Sequence, residues 1–360
     1  MQKKATILSL YSSVKSLVQH SKTDLYQVIN TTLAETCFHV GRLIVEYEQN
    51  GSQRAGYAAK TLNGLSTRLT KEFGKGFSVD NLENMPRFYN VYKEEYNQFI
   101  KKFQKSETVS RKSTTDAVQK SETLSRKSLF NLSWSHYLVL MRIEDNYERR
   151  FYTIESFNEK WSVPELQRQY NSALYERLVL SRNKKGVKEL SVRGHVVATP
   201  SDAVKDPYIL EFLNLQEKDL YTETDLEEAI LTKIKDFLKE LGKGFLFVDR
   251  QKRIQIDGED YYVDLVFYHR ILRCFVLIDL KIGALKHQYL GQLQMYVNYY
   301  DEEMKTTEEN KTIGIVLCKN KKENLIRYTL GKENKQIFAS KYKIFFPEKQ
   351  VLKLLQQNIK

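Results

Sequence analysis

The chain of 360 residues carries 57 Lys and Arg against 45 Asp and Glu, a formal net charge of +12 at pH 7, and 41% of it is hydrophobic. That length suits two domains with cores of their own, and the cationic excess favours a polyanionic partner over an acidic one. Three cysteines without a CxxC pair (Cys37, Cys274, Cys318), six histidines without zinc spacing and no long apolar run argue against a disulfide framework, a zinc module, a signal segment and a membrane span.

Residues 1 to about 100 read as helices. In Val28 to Gln49, Ile29, Leu33, Cys37, Val40, Ile44 and Tyr47 recur at helical spacing, and Asn50-Gly51 supplies a stop. A second helix is expected over Ala58 to Phe73. Gly74-Lys75-Gly76-Phe77 then makes a turn, with Ser78 as N-cap and Asp80 in the first turn of a third helix. Helix, glycine turn, helix is the outline of a helix-turn-helix, whose second helix can enter a DNA groove. Lys75 and Arg87 are its candidate nucleic-acid contacts.

Residues 104–128 hold a tandem repeat, QKSETVSRKS from Gln104 and QKSETLSRKS from Gln119. It lacks an apolar stripe and is too short for a solenoid, so it reads as a solvated linker or helix extension. Helical signal returns at Ser133 to Leu140 and at Glu148 to Glu159, and Pro164 opens a further helix through Leu178. Trp134 and Trp161 read as core. A basic segment, Arg182 to Arg193, separates this helical region from the C-terminal half, and Asp206-Pro207 with the run to Leu215 forms a connector. The expected organisation is a helical N-terminal domain over 1–200 and an α/β domain over 206–360.

The second domain reads helix, strand, strand, strand, helix, strand. Asp225 to Leu241 is the helix and Gly242 to Gly244 ends it. Phe245 to Ile256 is a strand, Asp257-Gly258 its turn, Tyr261 to Tyr268 and Cys274 to Ile282 the central pair. A helix over Ala284 to Tyr300 comes next, then a strand over Ile313 to Cys318. Ile337 to Phe346 is an expected edge strand, and a closing helix starts at Glu348.

Three charges sit where a core is expected: Asp264, Asp279 and Lys281. Strand alternation puts Asp279 and Lys281 on one face, roughly 7 Å apart. It groups Tyr262, Asp264 and Val266 on the face opposite Val263, Leu265 and Phe267. If the two strands pair as a hairpin, the carboxylates converge. Carboxylates isolated in apolar runs cost several kcal/mol unless compensated. A divalent metal held by two carboxylates and a backbone carbonyl, with a lysine alongside, supplies that compensation and a hydrolytic site.

Asp264 followed by Asp279-Leu280-Lys281 resembles the PD-(D/E)XK nuclease signature, and Gln292 with Tyr296 resembles the QxxxY element of several of its branches. The longer stretch FVDRQKRIQIDGEDYYVDLVFYHRILRCFVLIDLKIG is similar to the YhcG-type bacterial nucleases, which join a helical N-terminal region to a PD-(D/E)XK domain. LSTRLTKEFGKGFSVDNLENM carries the likeness into the N-terminal half. Pro86 departs from it, standing where an arginine is usual, and predicts a bent third helix or one that starts late.

The resemblance implies a restriction-endonuclease-like α/β fold. It implies Mg²⁺ or Mn²⁺ held by Asp264, Asp279 and the Leu280 carbonyl, with Lys281 catalytic, Gln292 at the site and Tyr296 against nucleic acid. In this superfamily an acid on the first helix often completes the site. Helical phase selects Glu227, in line with Leu231, Ile234 and Leu238, over the solvated Glu228. The activity implied is metal-dependent hydrolysis of DNA phosphodiesters, in a setting of defence, restriction or repair. The alternatives are an RNA nuclease and a DNA-binding regulatory or structural protein with an inactive core; intact Asp264, Asp279 and Lys281 count against the last. A soluble cytoplasmic protein with nucleic acid as partner is expected, with no membrane partner and with room for a homodimer.

Overall fold

The computed structural model describes residues 7–50, 55–109, 128–180, 184–216, 221–331 and 333–349. Contacts divide the chain into two compact units, Met1–Leu166 and Gln167–Lys360. The division falls before the expected boundary at 200–206. The physical reason lies in the buried pairing of Arg168 and Arg177 with Glu240, which ties residues after 166 to the sheet unit.

The first unit is helical: α1 (Ile7–Asn50), α2 (Ala55–Phe73), α3 (Val79–Val109), α4 (Trp134–Leu140) and α5 (Asn146–Asn158), with α6 (Val163–Asn171) on the division itself. Its core is aromatic. Phe38 meets Tyr96 at 4.5 Å and Phe130 at 5.2 Å between ring centroids, and Phe88 meets Trp134 at 5.2 Å. Trp134 is thus core, as expected, with its indole N–H donating to Asn81.

α3 starts at Val79 and runs on through Pro86, so the late start is excluded. Ser78 Oγ accepts from the Asn81 N–H at 3.3 Å, as an N-cap does. α1 crosses α3 closely: a Cβ on Gly41 would lie 2.1 Å from the Met85 carbonyl oxygen, so only glycine allows the approach. The first repeat unit continues α3 as far as Val109. Residues 110–127, with the rest of the repeat, lie outside the described residues, as does the closing helix expected beyond Glu348.

In the second unit the expected helix through Leu178 is broken. α6 ends at Asn171 and α7 (Leu174–Leu180) starts anew, because Ala173 takes a left-handed φ of 53°. The basic segment read as a separator is a helix, α8 (Lys184–Arg193), that buries Leu190. After the short α9 (Pro200–Ala203), the strands β1 (Tyr208–Ile209), β2 (Phe245–Ile256), β3 (Glu259–His269), β4 (Cys274–Ala284), β5 (Ile313–Asn320) and β6 (Ile337–Lys343) form one sheet, in the order β1-β6-β5-β4-β3-β2. β2, β3 and β4 are antiparallel neighbours, while β4-β5, β5-β6 and β6-β1 are parallel. β6 is therefore not the edge; the connector supplies the edge as β1.

The helix read over Asp225 to Leu241 is two, α10 (Glu223–Thr232) and α11 (Ile234–Leu241), interrupted at Lys233. Leu226, Ile230, Phe237 and Leu241 cover one face of the sheet over Leu265, Phe267, Ile278 and Ile315. α12 (His287–Tyr299) covers the other, packing Leu290, Leu293, Tyr296 and Val297 over Val263, Val266, Leu277 and Val316, with α13 (Glu323–Leu330) beside it. α13 was not legible as a separate element. β4 is buried on both faces, which is why it reads as a continuous apolar run. β5 comes so near α12 that a Cβ on Gly314 would lie 2.9 Å from Leu293 and Val297.

Candidate active site

β3 and β4 pair in register from His269↔Cys274 to Leu265↔Ile278, and there the ladder stops. At the next position Asp264 uses its side chain: Oδ2 accepts from the Leu280 N–H at 2.8 Å. β2 departs from regularity at the same level. Its register shifts between Phe247 and Asp249, and Gln251 holds a left-handed φ of 43°. Bulged, opened strands gather at functional sites because they re-aim side chains. The expected alternation fails here too. Val263 packs with Val266 under α12, while Leu265 and Phe267 face the opposite core.

Into this opening project four carboxylates and one ammonium. Asp279 is only 2% exposed. Lys281 Nζ lies 3.1 Å from Asp279 Oδ2 and 3.3 Å from Glu223 Oε2, and 5.2 Å from the Tyr289 ring centroid. Glu227 is buried and Glu228 exposed, as helical phase predicts. The Gln251 amide donates to Glu227 Oε2 at 2.6 Å and to Asp264 Oδ1 at 3.2 Å, bridging the helix carboxylate to the strand carboxylate.

The electrostatics are unbalanced. Burial pushes the Asp279 carboxyl up to about 7; Lys281 pulls the other way without overcoming it, and the Asp264 charge adds to the rise. Burial alone would lower Lys281, but Asp279, Asp264 and Glu223 more than offset it and keep the amine protonated. Burial also raises Glu227, against the Gln251 hydrogen bond.

Asp279 Oδ2 is in ion contact with Lys281 yet accepts no aligned hydrogen bond, an orphaned buried acceptor. Orphaned carboxylate oxygens of this kind fit a hard cation. Among the described residues no three His, Cys, Asp or Glu side chains form a ready cage.

Of the remaining sequence candidates, Gln292 is half-buried and donates to the Tyr296 hydroxyl at 2.5 Å. Tyr296 is fully buried, so its expected contact with nucleic acid is corrected: the ring is core, and only its hydroxyl feels Asp279 and Asp264. Lys75 and Arg87, in the helical unit, are exposed. Sequence reasoning missed Glu223, Gln251 and Tyr289. Gln251 carried no signal, being one polar residue in a mostly exposed strand. Tyr289 stood in the apolar pattern of its helix.

Residues 201–360 match the family described as the YhcG PDDEXK nuclease domain, and residues 13–177 the DUF1016 N-terminal domain. The chain is 35% identical over 353 residues to "Putative nuclease YhcG" of Escherichia coli (strain K12), covering 95% of this chain and 92% of that protein. Among solved structures, a repair endonuclease from Pyrococcus abyssi aligns at 17% identity over 37% of this chain and 50% of that one, with a TM-score of 0.24. A complex of EndoMS with double-stranded DNA aligns at 17% identity over 37% and 49%, also at 0.24. The chain spans about half the length of these two.

Proposed function

Because the chain belongs to the YhcG family of PD-(D/E)XK nucleases, we propose that it is a metal-dependent endonuclease hydrolysing DNA phosphodiesters where β3 and β4 part. The observation that carries this is Asp279, buried, orphaned at one oxygen, and flanked by Lys281 and Asp264. Mg²⁺ or Mn²⁺ would be held by Asp264, Asp279 and the Leu280 carbonyl. When bound, such an ion polarises the scissile phosphate and lowers the pKa of a coordinated water.

The rest of the chemistry falls to the chain. Lys281, kept protonated by three carboxylates, is placed to orient the attacking water or to stabilise charge developing on the phosphoryl oxygens. The Leu280 N–H fixes one Asp264 oxygen, and Gln251 fixes the other while holding Glu227 at the rim. Gln292 acts through Tyr296, beneath the site. The net charge of +12 supports a polyanion as substrate, and Lys75 and Arg87 are the proposed contacts of the helical unit with DNA.

The test is cleavage of single-stranded, duplex and branched DNA, beside RNA, with Mg²⁺, Mn²⁺ or EDTA. DNA cleavage that EDTA abolishes is expected. Cleavage of RNA alone would replace the substrate, and cleavage unaffected by EDTA would remove the metal. A chain that binds DNA but cuts nothing would mean an inactive core.

A further inference from the structure

α1 is 44 residues long, yet only its C-terminal part enters a core: Thr31, Ala34, Cys37, Phe38 and Ile44 are buried. Before Thr31 no described side chain of the helix is buried. The exposed part is not polar. Leu10 is 63% exposed, Leu17 68% and Leu25 60%, and Ile7, Tyr11, Val14, Val18, Val28 and Ile29 are exposed with them. At 100° per residue these nine fall within one arc of about 120°, the width of a core-facing stripe. Ser21 is the only polar residue inside it; Asp24 and Lys22 border it on opposite sides.

That stripe runs about 33 Å from Ile7 to Ile29, a contiguous exposed apolar surface of the kind that marks an interaction site. The helix is not held by intrinsic propensity either. Ser9, Ser12, Ser13, Ser16 and Ser21, with Val14, Val18, Thr23, Val28 and Ile29, are middling helix formers at best. A solvated helix of this composition needs packing along its apolar face.

Within its own helical unit no described residue covers that stripe. Residues 110–127 hold only Ala117, Val118 and Leu124 as apolar residues. A membrane surface is a poor match, because Lys15 and Lys22 are the only Lys or Arg residues from 7 to 30, where interfacial helices carry a basic polar face. An uncharged stripe meets a copy of itself without like-charge conflict, the requirement of a two-fold interface.

We infer that the N-terminal part of α1, residues 7–30, is a dimerisation helix whose partner is the same helix of a second copy of this chain. Two such helices packed along the stripe share a continuous apolar seam about 33 Å long, the contact by which paired amphipathic helices associate. The inference is independent of the nuclease reading, since it uses no residue of the sheet unit.

The test is light scattering on the full chain at micromolar to tens-of-micromolar concentration, with hydrogen exchange on the same samples. A mass twice the 42.4 kDa of the chain is expected, with amides of residues 7–30 protected more as concentration rises. The variant Leu10→Glu/Leu17→Glu/Leu25→Glu should return to the single-chain mass and lose the protection of residues 7–30 while the core amides stay protected, since these side chains touch no core. Leu17→Ala, the milder change, should raise the dimer dissociation constant at least tenfold. A wild type that stays at the single-chain mass overturns the proposal, and so does a triple variant that remains dimeric. Single-chain wild type that sediments with phosphatidylserine vesicles would give the stripe to a membrane instead.

Discussion

Glu240 and Asp279 are both buried carboxylates with cations alongside, in the same sheet unit, and their surroundings drive them in opposite directions. Glu240 is 0% exposed; one oxygen accepts from Arg177 at 2.8 Å and from the Ile209 N–H at 3.0 Å, the other from Arg168 at 3.2 Å. Lys205 adds a bond to its carbonyl. Burial would raise the Glu240 carboxyl, but Arg177, Lys205 and Arg168 overcome it and hold the group down to about 2. At Asp279 burial prevails and the group rises to about 7. The first cluster has more cation than anion and no orphaned carboxylate oxygen. The second has more anion than cation, and Asp279 Oδ2 meets only the Lys281 ammonium, without an aligned hydrogen bond. A satisfied buried charge ties the fold together, whereas an unsatisfied one is a site held open for something else.

The largest expected effect breaks the comparison most directly. Asp279→Ala and Lys281→Ala should each lower metal-dependent cleavage by about 10²–10³-fold or more, the scale of losing one group that stabilises a transition state. The fold should remain, because neither side chain completes a satisfied network. Single-turnover cleavage and a melt of each variant decide it; full activity in either removes the proposed site.

Glu240→Gln should do the reverse. Leaving Arg177 buried without its anion, and Arg168 with Glu211 alone, costs about 3–5 kcal/mol of stability, read as a lower urea midpoint. Asp279→Asn, by contrast, removes a charge that the fold holds at a cost, so its midpoint should stay or rise. Equal losses in the two variants would end the distinction between a tie and a site.

The same contrast has a pH signature, measured as urea midpoints with EDTA present. Glu240 is depressed from 4.5 to about 2, so its contribution is complete above pH 4.5 and is lost as pH falls toward 2. Asp279 is raised from 3.8 to about 7, so between these values the folded chain keeps a proton that the unfolded chain has released. Stability from this group therefore declines as pH rises through that window. Glu240→Gln should flatten the acid limb and Asp279→Asn the decline toward neutrality. A wild type whose stability does not change between pH 4 and 7 would contradict the reading of Asp279.

Much of this was legible because buried strands advertise themselves. Asp264, Asp279 and Lys281 stood out as charges in apolar runs, and the hairpin pairing of their strands, there only a condition, is the pairing found. Glu240 was not legible. Nothing within its own helix marks it, because its partners lie 63 and 72 residues earlier, in segments read as a different domain. The break at Lys233 and the short β1 escaped for a similar reason, being set by tertiary contacts and not by periodicity. The failure of alternation at Asp264 is the informative miss, since a rule of local geometry gives way where β3 and β4 part.

Gln251 offers the smallest effect and the finest test of how the opening is held. Its left-handed φ costs a non-glycine residue on the order of 1 kcal/mol, and its amide stands between Glu227 and Asp264. Gln251→Ala keeps the backbone penalty and removes the amide. Gln251→Gly removes both. The glycine variant should therefore be the more stable of the two by about 0.5–1 kcal/mol, which isolates the strain from the bridge. Both should lose cleavage by about 10–100-fold, the usual cost of removing a residue that orients a ligand, because the two carboxylates then face one another with no donor between them. Urea midpoints read the first difference and single-turnover rates the second. Variants of equal stability would show that the backbone at Gln251 carries no strain. Variants as active as wild type would show that Glu227 and Asp264 keep their places without the bridge.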